Sequence, residues 1–133
     1  MCYWIIFCSL RKYDLIGAFL HLKRLNWRQS TNIAVGDIVY IYTGDPYHSI
    51  THKCRVLEVN LKTSYIDDSK YVKSKKRLPK CDRYMTFEFI TALMIGIDWL
   101  NSHNIPGIIS KPRRISNEID KEYYHKWWLC NRL

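Results

Sequence analysis

The sequence contains no long apolar run and no closely spaced pair of cysteines. Its opening segment, residues 1–10, is apolar over only about eight positions, whereas a membrane helix needs about 20. That segment also lacks the basic start of a secretory signal. The cysteines are odd in number and form no C-x-x-C motif; they are Cys2, Cys8, Cys54, Cys81 and Cys130. These absences predict a cytoplasmic protein with reduced thiols and without a metal site.

Sequence signatures of catalysis are missing as well. The chain has no G-x-S-x-G, no P-loop, no paired-carboxylate motif and no H-x-E followed by C-x-x-C. Asp67 and Asp68 are adjacent, but such a pair in a loop usually serves a turn or a cap. We therefore expect a binding protein without a cofactor rather than an enzyme. The recognition domain of a nuclease would satisfy that expectation.

Acidic side chains are scarce relative to basic ones. Twelve Asp and Glu stand against 21 Lys and Arg, which gives a net charge of +9. This balance favours an anionic partner, either nucleic acid or a membrane surface. Ten tyrosines against four phenylalanines indicate aromatic rings with one wet edge. Together they favour nucleic acid and no membrane, although a basic surface that only confers solubility remains an alternative.

The length of 133 residues and a hydrophobic content of 47% fit one globular domain over residues 1–133. Runs rich in β-branched and aromatic residues predict strands at residues 3–8, 38–42, 50–59 and 84–90. A helix is predicted over residues 14–25, with Asp14 as its N-cap, and another over residues 116–128, with Ser116 as its N-cap.

Turns are predicted at Gly36–Asp37 and at residues 43–46, and a bulge at residues 56–57. The polar, basic stretch 66–82 has no Gly, Ser or Pro bias, so it is predicted to be a loop inside the domain and not a linker. Mixed strands with short helices predict an α+β fold, a closed or nearly closed barrel.

Four segments carry a resemblance to a known family. They are Y-W-I-I-F near the start, W-R-Q-S-x-N-I-x-x-G-D-I-V-Y-I-Y from Trp27, I-x-x-K-C-R-V from Ile50, and G-I-I-S-K-P-R-R-I-S-x-E-I at residues 107–119. Over about residues 3–128 the chain resembles an EVE domain of the PUA-like superfamily, to which the YTH readers are related. The resemblance implies a PUA-like pseudo-barrel of mixed β-strands flanked by short helices.

The same resemblance implies a function. Some EVE-type domains are the N-terminal readers of modification-dependent restriction endonucleases and recognise 5-methylcytosine or 5-hydroxymethylcytosine, whereas YTH domains hold N6-methyladenine in RNA. Trp27 is similar to the Trp of the family's pocket wall, where a flipped base needs a flat ring to replace its lost stacking. A core Trp is the alternative, but the polar residues that follow are unusual for a core run. The predicted base pocket comprises Cys8, Ser9, Trp27, Arg28, Ser30, Tyr42, Thr43 and Ser49.

Contacts to the nucleic-acid backbone should come from cations beside this pocket. The predicted residues are Lys23, Arg24, Lys73, Lys75, Lys76, Arg77, Lys111, Arg113 and Arg114, together with Arg28. The dense run around residues 73–77 has a solvated loop as its alternative. Trp127 and Trp128 are predicted to belong to the core.

The sequence therefore predicts a reader that flips a modified base, first of all 5-methylcytosine or 5-hydroxymethylcytosine in double-stranded DNA, into an aromatic pocket. It would be a recognition module fused to or associated with a nuclease. Two alternatives stay open. One is an RNA-binding PUA-like protein that reads tRNA or N6-methyladenine, and the other is a small module that binds a protein through exposed aromatics.

Overall fold

The computed structural model describes residues 1–73, 83–105, 112–117 and 119–121. Within these ranges, six strands form one sheet: β1 Tyr3–Cys8, β2 Arg24–Arg28, β3 Ile38–Thr43, β4 Ser49–Leu61, β5 Tyr84–Gly96 and β6 Arg113–Ile115. The helices are short: α1 Leu15–His21, α2 Ile97–Ser102 and a 3₁₀ turn at Ser69–Tyr71. Residues 119–121 are helical, and the rest of the predicted helix 116–128 lies outside the described residues, as do Trp127 and Trp128.

The strand order is β2-β5-β4-β3-β1-β6. Only β1 and β3 run parallel; the other neighbours are antiparallel. The α+β class is confirmed. The expected closure of the barrel is wrong, because in the described part of the chain the short edge strands β2 and β6 pair only with β5 and β1 and not with each other.

Both faces of the sheet are buried, which explains why β3 is an unbroken apolar run. Successive residues of a strand point to opposite faces. Ile6 therefore joins one core with Leu15 and Ala18 of α1, and we call this side the α1 face. Ile5 joins a second core with Leu100 of α2 on the side that we call the α2 face.

Helix α1 begins where the sequence predicts and ends earlier. The Asp14 side chain caps it by accepting the Gly17 N–H at 3.0 Å. A Cβ at Gly17 would collide with that carboxylate, so a larger residue there would require the Asp14 side chain to move out of its capping position. The predicted helix to Leu25 is wrong beyond His21, because residues 24–28 pair with β5 and bury Leu25 opposite Phe87.

The turn at Gly36–Asp37 is confirmed, with Gly36 at a φ of 91° that favours glycine. Asp37 accepts hydrogen bonds from the Cys2 N–H, the Ala34 N–H and the Trp4 indole at 2.9–3.0 Å. Burial opposes ionisation of Asp37, but these donors outweigh it and hold its pKa below the ordinary value. Asp37 thereby ties the start of β1 to the start of β3.

The two long central strands account for the remaining differences. The bulge predicted at residues 56–57 is confirmed by a register shift between Val56 and Glu58. Strand β5 continues past the predicted end at Ile90 to Gly96. The predicted loop over residues 66–82 contains the 3₁₀ turn, and its residues 74–82 lie outside the described ranges. In the part that the structure describes, no helix is long and apolar enough to cross a membrane.

Candidate nucleic-acid interface

Trp27 lies on β2 and points to the α1 face, where it is half-buried. Its ring packs edge-on against Tyr13, with ring centres 5.3 Å apart and planes at 83°. On the side toward the core, the centre of the Trp27 ring lies 5.6 Å from that of the Phe87 ring. The ring is thus held by the core without being fully enclosed by it.

The Trp27 contacts belong to a line of rings across the α1 face. The ring centre of Phe87 lies 6.2 Å from that of Phe19. The Phe19 ring centre in turn lies 5.1 Å from that of Phe89 and 5.2 Å from that of His52. Pairs of aromatic rings at such separations stabilise one another beyond simple burial. This packing fixes the position of the Trp27 ring from the side of the core.

Tyr13 connects Trp27 to the end of β1. Its hydroxyl donates to the Asp68 carboxylate at 2.7 Å. Burial and then the Asp68 carboxylate raise the pKa of Tyr13, and the nearby Cys8 thiol acts in the same direction. Tyr13 also forms an isolated antiparallel β-bridge with Val72. This bridge holds residues 69–73 against the segment that follows β1.

Three predicted pocket residues meet where β1, β3 and β4 lie side by side. Cys8 is paired with Thr43, and Thr43 with Ser49, whose carbonyl accepts from the Thr43 hydroxyl at 3.3 Å. All three are buried. Burial raises the pKa of the Cys8 thiol to about 12, while the neighbouring Lys73 charge lowers it by less. Ser9 follows, and its carbonyl accepts the N–H of Tyr13.

The other predicted pocket residues lie elsewhere. Tyr42 points to the α2 face and stacks on Phe7 at 6.2 Å, because neighbouring strand residues alternate between faces. It therefore does not join Thr43, and its inclusion in the same pocket is corrected. Arg28 and Ser30 are exposed beside Trp27 at the end of β2.

Three pairs of described cations lie at separate places. Lys12 and Lys73 are exposed and joined by a backbone hydrogen bond of 2.9 Å beside Tyr13. Lys23 and Arg24 both face Glu88, at 3.9 and 3.8 Å, so their charge is partly neutralised. Arg113 and Arg114 lie on the far edge strand β6. The remaining predicted backbone contacts lie outside the described residues: Lys75, Lys76, Arg77 and Lys111.

The sequence did not indicate a buried ion pair on the α2 face. The Lys53 ammonium lies 2.7 Å from the Asp120 carboxylate, and only 6% of its side chain is exposed. The Tyr40 hydroxyl donates to the same carboxylate, and the Lys53 ammonium lies 5.9 Å from the Tyr40 ring centre. Burial lowers the pKa of Lys53, with a smaller effect from Arg55, and raises that of Asp120. This pair fastens the helical residues 119–121 to the sheet.

A metal site is not supported by the geometry that can be described. Over residues 1–73, 83–105, 112–117 and 119–121, no group of three or more His, Cys, Asp or Glu could hold a metal ion. The described cysteines, Cys2, Cys8 and Cys54, are free thiols.

No family model and no curated protein matches the sequence. Solved structures match its fold over nearly the whole length. An ASCH protein from Zymomonas mobilis is 12% identical, with a TM-score of 0.58 over 92% of this chain and 94% of that one. A protein from Pseudomonas putida is 16% identical, with a TM-score of 0.61 over 92% and 97%. A hypothetical protein from Leishmania major is 14% identical, with a TM-score of 0.59 over 100% and 98%.

These similarities establish the fold. The chain has the PUA-like α+β fold found in ASCH domains, and its described residues form an open six-stranded sheet. The expectation of a PUA-like fold is confirmed, and the narrower expectation of an EVE domain is not established by identities of this size.

Proposed function

We propose that this PUA-like domain reads nucleic acid by taking one flipped, modified base against Trp27 and Tyr13. The first ligand in this proposal is 5-methylcytosine or 5-hydroxymethylcytosine in double-stranded DNA. The domain performs no catalysis of its own. It would serve a modification-dependent restriction system as the recognition module, fused to or associated with a nuclease.

The half-buried Trp27 ring is the observation that carries the proposal. A base that leaves the duplex loses its stacking, and stacking on an aromatic side chain returns about 1–3 kcal/mol. Trp27 is already held by Phe87 and Tyr13. Because the ring is positioned in advance, little side-chain freedom is lost when a base stacks on it.

Polar groups beside the two rings supply a means of reading the base edge. The Asp68 carboxylate, which accepts from the Tyr13 hydroxyl, is an acceptor of the kind that pairs with the amino group of cytosine. A 5-methyl group would add apolar contact and a 5-hydroxymethyl group one hydrogen bond. Either addition is worth about 1–3 kcal/mol in selectivity.

Lys12 and Lys73 support the backbone contacts that the proposal needs. They are exposed and flank the bridge between Tyr13 and Val72, and phosphate contacts from such lysines position a nucleic acid without reading its sequence. The net charge of +9 gives the whole chain an attraction for polyanions.

The test is fluorescence anisotropy at one fixed salt concentration with matched oligonucleotides. The panel holds cytosine, 5-methylcytosine, 5-hydroxymethylcytosine and N6-methyladenine, each in DNA and in RNA. We expect a preference of about tenfold, or about 1.4 kcal/mol, for one modified cytosine in duplex DNA. Equal binding throughout would refute the reader, and a preference for N6-methyladenine in RNA would replace DNA by RNA as the substrate.

Variants of Trp27 test whether the preference for a modified base depends on this ring. Trp27→Ala should remove it and leave the weak, charge-driven binding, whereas Trp27→Phe should keep part of it because a smaller ring still packs on Phe87. Trp99 is the matched control, since it is also half-buried but stacks on His103 on the α2 face. If Trp99→Phe changes the preference as much as Trp27→Phe does, the base does not stack on Trp27.

A further inference from the structure

The outer side of strand β5 is covered over only part of its length. Strand β2 pairs with β5 at residues 84–88, and the last contact is the Phe89 N–H, which donates to the Lys23 carbonyl at 2.9 Å. Strand β5 continues along β4 to Gly96, and no strand of the described chain lies on the outer side of this second half. Its main-chain N–H and C=O groups can therefore pair with another strand. We call residues 90–96 the open edge of β5.

The side chains of the open edge are unusual for an exposed strand. Exposed and half-buried residues alternate along it without interruption, although register shifts against β4 lie within this stretch. Leu93 and Ile95 pack against the core of the α2 face, whereas Ile90 is 39% and Met94 66% exposed. Monomeric proteins commonly protect such edges with charged side chains or proline. Residues 89–97 contain neither, so the open edge has the composition of a paired strand.

The order of the exposed side chains favours pairing of the open edge with itself. They are, in sequence, Ile90, Ala92, Met94 and Gly96, so large and small residues alternate. In an antiparallel pair centred on Leu93, Ala92 lies opposite Met94 of the second copy, and Ile90 lies opposite its Gly96. Each large side chain then faces a small one, and the exposed apolar surfaces of the two copies join. This arrangement has the two-fold symmetry of most dimers.

The charges at the two ends of the open edge fit the same pairing. At one end, Lys23 and Arg24 share the Glu88 carboxylate, at 3.9 and 3.8 Å, which leaves a net positive charge. At the other end, Asp98 is exposed in the first turn of α2. The register about Leu93 places Asp98 of the second copy opposite Glu88 and next to the two cations. Two cations and two carboxylates then meet at each end of the pair.

We propose that the chain forms a two-fold dimer in which the open edges of two copies pair and their sheets become continuous. A second copy supplies at once the main-chain partners, the small-to-large packing and the acidic group that this edge lacks. A nucleic-acid backbone is a poor partner for it, because residues 89–97 carry no cation. The inference does not depend on the proposed function, since no residue of the open edge takes part in the reading of a base.

The test of the dimer is analytical ultracentrifugation of the full chain over micromolar to millimolar concentrations. We expect a monomer–dimer equilibrium, and Met94→Lys should raise its dissociation constant at least about tenfold, because it places a charge within the paired edges. Leu20→Lys is the matched control: Leu20 is 75% exposed on α1, so the variant adds the same charge outside the open edge. Both variants should unfold at the parent's temperature at a concentration where the parent is monomeric.

A cysteine at the centre of the pair tests the register. Residues directly opposite each other in an antiparallel pair have Cα atoms about 4.5–5.5 Å apart, within the range of a disulfide. Leu93→Cys should therefore give a covalent dimer under mild oxidation. Ile95→Cys should cross-link no more than the parent chain with its native cysteines, because Ile95 lies opposite Thr91 of the second copy and far from its own counterpart.

Four results would overturn the proposal. They are a chain that stays monomeric at all these concentrations, a dimer that Met94→Lys leaves intact, a dimer that Leu20→Lys weakens equally, and cross-linking of Ile95→Cys as readily as of Leu93→Cys. The first would leave the open edge to a strand from a different protein, and the last would mean that the edges do not pair about Leu93.

Discussion

At the scale of single residues, the fold changes the titration of His52, a group that ordinarily takes up a proton close to neutral pH. Its ring lies among Phe19 and Phe89 on the α1 face, and only 6% of the residue is exposed. Its Nδ1 lies 2.7 Å from the Thr51 hydroxyl. Burial lowers the pKa of His52 to about 4, so the imidazole is neutral near pH 7.

We therefore predict that acid destabilises the chain through His52. The unfolded chain binds a proton at the ordinary histidine pKa of about 6.5, whereas the folded chain resists it down to about 4, so stability falls as the pH drops through this window. Between pH 7 and pH 5 the loss from this residue is about 2 kcal/mol in the free energy of unfolding. Urea unfolding at the two pH values measures it.

His52→Gln is the matched variant, because its amide cannot be protonated in this range. The difference in stability between pH 7 and pH 5 should shrink by about 2 kcal/mol in this variant. An unchanged difference would mean that His52 is protonated as readily in the folded chain as in the unfolded one.

At the scale of elements, the pair of Lys53 and Asp120 joins the helical residues 119–121 to the sheet. We predict that Lys53→Met destabilises the fold by up to about 3–5 kcal/mol, because it leaves the half-buried Asp120 carboxylate with the Tyr40 hydroxyl but without its cation. Guanidinium chloride unfolding measures the change. The double variant with Asp120→Leu should recover most of the loss, since an apolar pair of similar size avoids the buried charge.

A comparison of the single and double variants decides whether the ion pair of Lys53 with Asp120 stabilises the fold. If Lys53→Met costs less than about 1 kcal/mol, the ammonium and the carboxylate behave as an exposed pair would. A double variant as unstable as the single one would assign the loss to packing against Tyr40 rather than to the stranded charge.

The elements predicted well from the sequence are those whose pattern is local. Strands β1 and β3 are continuous apolar runs; β3 is buried throughout, and β1 is buried at Ile5, Ile6 and Cys8. Gly36 lies in a turn whose backbone conformation favours glycine. Strand β2 was missed because its partner β5 lies some sixty positions further along the chain (Leu25 opposite Phe87). Short apolar runs do not distinguish a helix from a strand until that partner is known.

In the candidate site, too, local patterns could be predicted from the sequence and long-range contacts could not. The pairing of β1 with β3 places Cys8 beside Thr43, and alternation along β3 places Tyr42 on the opposite face of the sheet. Tyr42 and Thr43 were predicted to share one pocket because they are adjacent in the sequence. Tyr13 contacts Trp27, fourteen positions further along the chain (27 minus 13), through ring packing. The sequence has no periodic pattern that predicts this contact. The ion pair of Lys53 with Asp120 could not be predicted from the sequence for the same reason.

At the scale of the whole molecule, positive charge is present on both sides of the sheet. Lys12 and Lys73 lie beside Tyr13, whereas Arg113 and Arg114 lie on the far edge strand β6. A polyanion that binds at Trp27 would release counterions mainly through the first pair. Binding at Trp27 can therefore be tested through the charges of Lys12 and Lys73.

We predict that duplex DNA binding weakens steeply with salt and that Lys12 and Lys73 account for part of the slope. Each lost phosphate contact reduces the slope of log K against log salt by about 0.9, so the double variant Lys12→Gln/Lys73→Gln should lose about two units. Anisotropy titrations over a range of salt concentrations give the slope.

The control double variant Arg55→Gln/Lys121→Gln removes the same charge from exposed positions elsewhere and should leave the slope nearly unchanged. Equal slopes in both double variants would place the DNA away from Tyr13, and a flat dependence in the parent chain would favour a protein partner, because an aromatic interface releases few counterions.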